Sequence, residues 1–231
     1  MQCVRHSRYR SDARRFVSRR ELLVTHSWGP SPIVRHAPLC SPSRRAYALV
    51  MLLQPTYYTA DMVRALPDDG NRYELVWGEL LVSPSPRTPH QRGVGRIFVL
   101  LTAYCTEWGA AEAFISPADI SWSDDTLVQP DVFVVPIEQA TAGNWTSMQD
   151  LLLVAEVLSP STARYDRFSK RRLYQDRRVP LVWLFDIDRA HVEVWTPGDV
   201  QPTIVRDQLT WHPKGASAPL LLDVAALFNG L

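Results

Sequence analysis

The sequence predicts an α/β domain in which a mixed β-sheet is sandwiched between helices. Three observations carry this reading. Apolar residues recur at helical spacing over Thr88–Trp108, a series of strand-length apolar runs follows, and a second helical stretch, Ser161–Arg178, separates two of those runs.

Each element has its own punctuation. Thr59–Leu66 reads as a short amphipathic helix with Thr59 as its cap, stopped by Pro67 and Gly70. Arg72–Val82 alternates apolar and polar residues around Trp77-Gly78, the pattern of a hairpin. The long helix places Val94, Ile97, Phe98, Leu101 and Tyr104 on one face, and Gly109 ends it. Phe114–Trp122 and Leu127–Val135 alternate as two strands around the turn Ser123-Asp124-Asp125, and residues 136–150 form a polar connection. Leu151–Leu158 reads as a buried strand, Ser161–Arg178 as a helix, and Leu181–Asp186 and His191–Thr196 as further strands about a turn at Asp188. Leu220–Phe228 closes the domain as a strand or short helix. No internal repeat interrupts this order.

The 231 residues are 46% hydrophobic and 21% charged, which excludes wholesale disorder, a collagen repeat and a disulfide scaffold. A formal net charge of +1 conceals an uneven distribution. Residues 1–50 hold ten Arg against Asp12 and Glu21, a net of +8, so residues 51–231 carry −7. The domain is therefore expected over 51–231, with 1–50 as a basic, disordered leader or an over-extended start. A transit-type presequence and a nucleic-acid-binding arm are the other readings of the leader. Cys3, Cys40 and Cys105 form no CxxC pair, which argues for a reduced, cytoplasmic setting and against a cysteine-based zinc site. No apolar run approaches the roughly 18 residues of a membrane-spanning helix, so no membrane partner is expected.

Three local features carry chemistry. Asp131 interrupts a strand-like run in Val128-Gln129-Pro130-Asp131-Val132. Glu156 sits among seven apolar residues over Leu151–Leu158. A lone buried carboxylate costs several kcal/mol, so such a residue is paired, metal-bound or protonated. Lys170 is one of two lysines in a chain of 23 arginines. At 100° per residue it falls between Leu173 and Asp166 on one side and Ala163 and Tyr174 on the other, on the sheet-facing arc. Two hard oxygen ligands on adjacent strands suit Mg²⁺ or Mn²⁺. A compact ammonium beside them can stabilise pentavalent charge or orient a water. Read singly, Asp131 is a strand-end residue, Lys170 a solvated helix charge and Asp166 its i,i+4 partner.

The combination resembles the Uma-two family of restriction endonucleases, in the PD-(D/E)XK phosphodiesterase superfamily. The resemblance spans about residues 55–200 and rests on Leu66-Pro67-Asp68-Asp69-Gly70, Tyr73-Glu74-Leu75, Gly78-Glu79-Leu80, Ser83-Pro84 and His90. It continues through Pro130-Asp131-Val132, Glu156-Val157-Leu158-Ser159-Pro160-Ser161-Thr162, Asp166-Arg167, Lys170 and Tyr174. It implies a restriction-endonuclease-like mixed sheet flanked by helices, with an N-terminal β-hairpin extension, and metal-dependent cleavage of DNA. Asp131 matches the acid of the PD motif, and Glu156 the acidic position of (D/E)XK. Leu158 stands where the superfamily lysine belongs, and Lys170 takes that part as a migrated lysine. His90 is implied as a metal neighbour or proton shuttle, and Glu74 as an active-site edge residue. A homodimer is the usual arrangement for nucleases that cut both strands. The alternative is a catalytically idle domain that binds nucleic acid or a protein, and Leu158 is its main support.

Arg164, Arg167, Lys170, Arg171, Arg172, Arg177 and Arg178 make residues 164–178 net +5 after Asp166 and Asp176. Arg164, Arg167 and Arg171 are the candidates for phosphate contacts, which would be salt-dependent and blind to sequence. A solvated helix face is the competing reading. No helix-turn-helix or zinc-finger spacing offers sequence-specific readout.

Overall fold

A computed structural model describes residues 57–231. The basic leader expected over 1–50 lies outside them. Helix α1 (Ala60–Arg64) starts where the Thr59 hydroxyl accepts the Met62 N–H at 3.3 Å. Strands β1 (Arg72–Val76) and β2 (Glu79–Ser83) form an antiparallel hairpin. Its two turn residues, Trp77 and Gly78, have φ of 49° and 78°, the left-handed pair that suits the twist of the flanking strands. Gly78 is required for space as well, since a Cβ there would lie 2.2 Å from the Tyr57 ring. Helix α2 runs over Thr88–Trp108, as its periodicity predicts, and ends on Gly109 at φ 75°.

The two strands expected over 114–122 and 127–135 are instead four: β3 (Ala111–Ile115), β4 (Ile120–Ser123), β5 (Thr126–Val128) and β6 (Val132–Pro136). Pro117 and Pro130 interrupt the runs, because a proline has no N–H to give a ladder. Within the polar connection, α3 (Ile137–Ala140) and a 3₁₀ turn (Trp145–Ser147) precede β7 (Leu153–Leu158). The helix expected over 161–178 is α4 (Ala163–Tyr165), a π-helical turn (Asp166–Lys170) and α5 (Arg171–Asp176). In the turn, the Arg171 N–H reaches back five residues to the Asp166 carbonyl. Strands β8 (Val182–Asp186) and β9 (His191–Trp195) follow as anticipated. Strands β10 (Thr203–Val205) and β11 (Gln208–Trp211) were not anticipated. The last segment is both strand and helix, β12 (Leu220–Asp223) running into α6 (Val224–Phe228).

The strands assemble as a six-stranded sheet in the order β10-β9-β8-β7-β6-β3, a four-stranded sheet β2-β1-β5-β4 and a β11-β12 ribbon. The six-stranded sheet is mixed, with β7 and β8 parallel and its other pairs antiparallel. Alternate residues of its central strands face two separate cores. Val132, Val134, Leu153, Ala155, Val157, Trp183 and Phe185 pack with α2 and α6. Phe133, Val135, Val154, Leu158, Val182 and Leu184 pack with the four-stranded sheet and with Leu173 and Tyr174 of α5. A sheet covered on both faces explains why its strands read as continuous apolar runs. Pro130 lies where the chain passes from the four-stranded sheet into the six-stranded one, and Asp131 is the next residue. Among the described residues no helix is long and apolar enough to cross a membrane.

Candidate active site

Glu156 lies on the β7 face that receives Val154 and Leu158, beneath α4, the π turn and α5. Its carboxylate is 1% exposed, yet every part of it is engaged. Oε1 lies 2.7 Å from Lys170 Nζ and accepts the Tyr174 hydroxyl at 2.6 Å, while Oε2 accepts the Asp131 backbone N–H at 3.2 Å. Asp131 returns the support, because its Oδ2 accepts the Val157 backbone N–H at 2.9 Å. The two acids are thus cross-braced, each carboxylate bonded to the backbone of the other's strand.

Two side chains, His90 and Arg72, complete the surroundings of Asp131, and Glu74 lies next to them. His90, in the first turn of α2, places Nε2 3.1 Å from Oδ2. Its Nδ1 is buried without a partner among the described residues. Arg72, at the start of β1, donates Nη1 to Oδ1 at 3.0 Å. Glu74, two residues further along β1, accepts the Gln129 N–H at 2.8 Å and lies 3.0 Å from Lys170 Nζ. Asp166 is the third carboxylate near that ammonium, at 3.6 Å. The approaches of Glu156 and Glu74 to Nζ are ion pairs rather than aligned hydrogen bonds.

The structure brings Asp131, Glu156, Lys170, His90 and Glu74 into one buried cluster. Lys170 reaches Glu156 from the helix over the same sheet face that carries Leu158, so an ammonium is supplied there although β7 has a leucine at that position. Two members were not singled out as site residues from sequence: Arg72 and Tyr174. A signal for Arg72 was present, since Arg72 and Glu74 are two apart on one strand and share a face.

The electrostatics are lopsided. Burial pushes Asp131 up, but the His90 hydrogen bond and the Arg72 charge outweigh it and hold the carboxyl well below its usual range. Burial pushes Glu156 up more than Lys170 draws it down, and the neighbouring acids add to the rise. Asp166 is raised to about 6, again chiefly by burial. Lys170 stays charged, because its three acids outweigh its burial. Four carboxyls, those of Glu74, Asp131, Glu156 and Asp166, face two permanent cations, Lys170 and Arg72. With all four ionised the sum is −2, and the proton that burial favours on Glu156 reduces it to −1, so a cation at Glu156 would take that proton's place. Hard oxygen donors with unmet negative charge fit a small divalent cation. Asp131 and Glu156 are the residues that would hold it.

Of the three arginines expected to meet phosphate, two are occupied within the protein. Arg167 is ion-paired with Asp186 and, at 2.6 Å, with Glu193. Arg171 donates to the Arg167 carbonyl and to Gln175, and lies over the Trp195 ring at 4.4 Å. Arg164 is exposed and has no side-chain bond among the described residues. Asp186, His191 and Glu193 place ligand atoms within 4.8 Å of one another. The oxygens of Asp186 already accept bonds from Arg167 and Arg189, and those of Glu193 from Arg167 and Trp195.

The mixed sheet, with one braced acid just before β6, the other within β7 and a helix-borne lysine against the second, is a restriction-endonuclease-like fold. The chain belongs to the family described as "Uma2: Putative restriction endonuclease", which matches residues 60–223. It is similar to a solved structure from Anabaena variabilis described as "a putative nuclease belonging to DUF820". The similarity covers 74% of this chain and 97% of that one, with a TM-score of 0.62 and 22% identity. No curated protein matches the chain.

Proposed function

We propose that the protein is a divalent-cation-dependent endonuclease that hydrolyses DNA phosphodiester bonds, with Asp131 and Glu156 as cation ligands. The observation that carries this reading is the cross-brace between them, which fixes one carboxylate at the entry to β6 beside another on β7, inside a cluster with more acids than permanent cations. Mg²⁺ or Mn²⁺ bound there would act as a Lewis acid toward phosphate and lower the pKa of a bound water. Lys170 and Tyr174 hold Glu156 Oε1, leaving Oε2 with one backbone bond at 3.2 Å and a second lone pair with which to ligate. His90 steadies Asp131 through Oδ2. Lys170 is the nearest ammonium to Glu156 and serves as the lysine of the site, positioning the acid and opposing its charge. The idle-domain alternative draws on Leu158 and on the closure of Asp131 by Arg72.

Plasmid nicking tests the reading. Mn²⁺ or Mg²⁺ should support cleavage and chelation should stop it. Asp131→Asn and Glu156→Gln should each lower the rate by at least about 100-fold, since even outer-shell changes at metal sites cost 10–100-fold. Undiminished cleavage in both variants would overturn it. Cation binding without cleavage of DNA or RNA would favour the idle domain.

A further inference from the structure

A cavity of about 600 Å³ opens beside the acidic cluster. None of the four clustered acids lines it, but Arg72 does. That side chain is 21% exposed, against 4% for Asp131 and 1% for Lys170, so it is the cluster's one permanent cation with a way out to solvent. It meets each of two acids through a single contact: one bond to Asp131 Oδ1 at 3.0 Å, and Glu74 at 3.7 Å. An arginine committed to a carboxylate makes two parallel bonds when the geometry allows. Arg72 makes one.

We propose that Arg72 is a displaceable plug and, once displaced, the phosphate-positioning residue of the cavity. This rests on the cation-site reading above. While no cation is bound, the guanidinium offsets part of the charge on Asp131. A divalent cation taking Asp131 repels the guanidinium and makes its bond redundant, and Arg72 turns into the cavity. The cavity then gains a planar, permanently charged fork suited to phosphate oxygens. Without that turn the cavity is a poor phosphate site. Asp68 and Asp119 line it, and its other arginine, Arg64, is paired with Asp61 at 2.9 Å. Cation and substrate strand therefore bind cooperatively through one side chain, a coupling that must be reciprocal.

Calorimetric titration of Mn²⁺ into the full chain and into Arg72→Gln, without nucleic acid, tests the plug. The variant should bind Mn²⁺ at least about fivefold more tightly, within the usual range of a coupling between sites. It should also lose the gain in affinity for a short single-stranded oligonucleotide that Ca²⁺ gives the unaltered chain. Equal or weaker Mn²⁺ binding by a folded variant overturns the plug and leaves the cation site standing. Absence of Mn²⁺ binding in both proteins removes the cation site, and the plug with it. If the variant does not fold, the Arg72 side-chain ¹⁵Nε resonance of the unaltered protein decides. Saturating Mg²⁺ should move it, and an unmoved resonance overturns the proposal.

Discussion

Two buried acidic clusters take a cation from the same helical turn, and they are balanced differently. Around Arg167, two acids (Asp186 and Glu193) meet two arginines (Arg167 and Arg189), and the charges cancel. Around Lys170, four acids meet Lys170 and Arg72, and they do not. The π-helical turn Asp166–Lys170 supplies both cations to opposite ends of this contrast. Arginine, with five donors in a fixed fork, spans two carboxylates and saturates them; lysine is a point charge that leaves lone pairs open. In the group of three potential ligands, Asp186, His191 and Glu193, both carboxylates are therefore already held by arginine, whereas the lysine cluster has more acids than cations.

The contrast breaks first under removal of its central cations. Lys170→Met should cost about 3–5 kcal/mol in urea unfolding, because it strands Glu156 and Glu74 without their cation. Divalent cation should recover part of that loss. A cost below about 1 kcal/mol, the range of exposed pairs, would mean that Lys170 is not the electrostatic centre of the cluster. Arg167→Gln should cost less, about 1–3 kcal/mol, since Arg189 still holds Asp186 and only Glu193 loses its cation, and should leave cleavage at the unaltered rate.

Acid unfolding sharpens the same difference by a smaller amount. Burial acts to raise Asp186, but hydrogen bonds from Arg189 and Arg167 outweigh it and hold the pKa below its ordinary value of 3.8. Its contribution to stability is then fully present above pH 3.8 and is lost as pH falls through the depressed folded-state value. Arg167→Gln should flatten that acid limb; an unchanged limb would assign the depression to Arg189 alone.

Much of this site was legible because the chemistry lay in local contradictions. Glu156 in an apolar run demands a partner, and the arc arithmetic that turned Lys170 toward the sheet agrees with its burial beside that acid. Arg72 was not legible as a partner of Asp131, because 59 residues separate them and only the joining of the two sheets brings them together. The basic face over 164–178 was legible only in part, for the opposite reason. Its charges were counted without Asp186 and Glu193, which reach Arg167 from β8 and β9. The same limit applies to the fold. Helix α2 follows from periodicity alone, whereas the division of 111–136 into four strands depends on which sheet each piece joins.

The central claim is that a divalent cation binds at the unbalanced cluster and not at the balanced one. A crystal structure of the protein soaked in Mn²⁺, with anomalous scattering recorded for manganese, tests it most directly. The account predicts an anomalous peak in contact with the carboxylates of Asp131 and Glu156, with the Asp186–His191–Glu193 clasp empty. A peak held by the clasp, or none at Asp131 and Glu156, would contradict it.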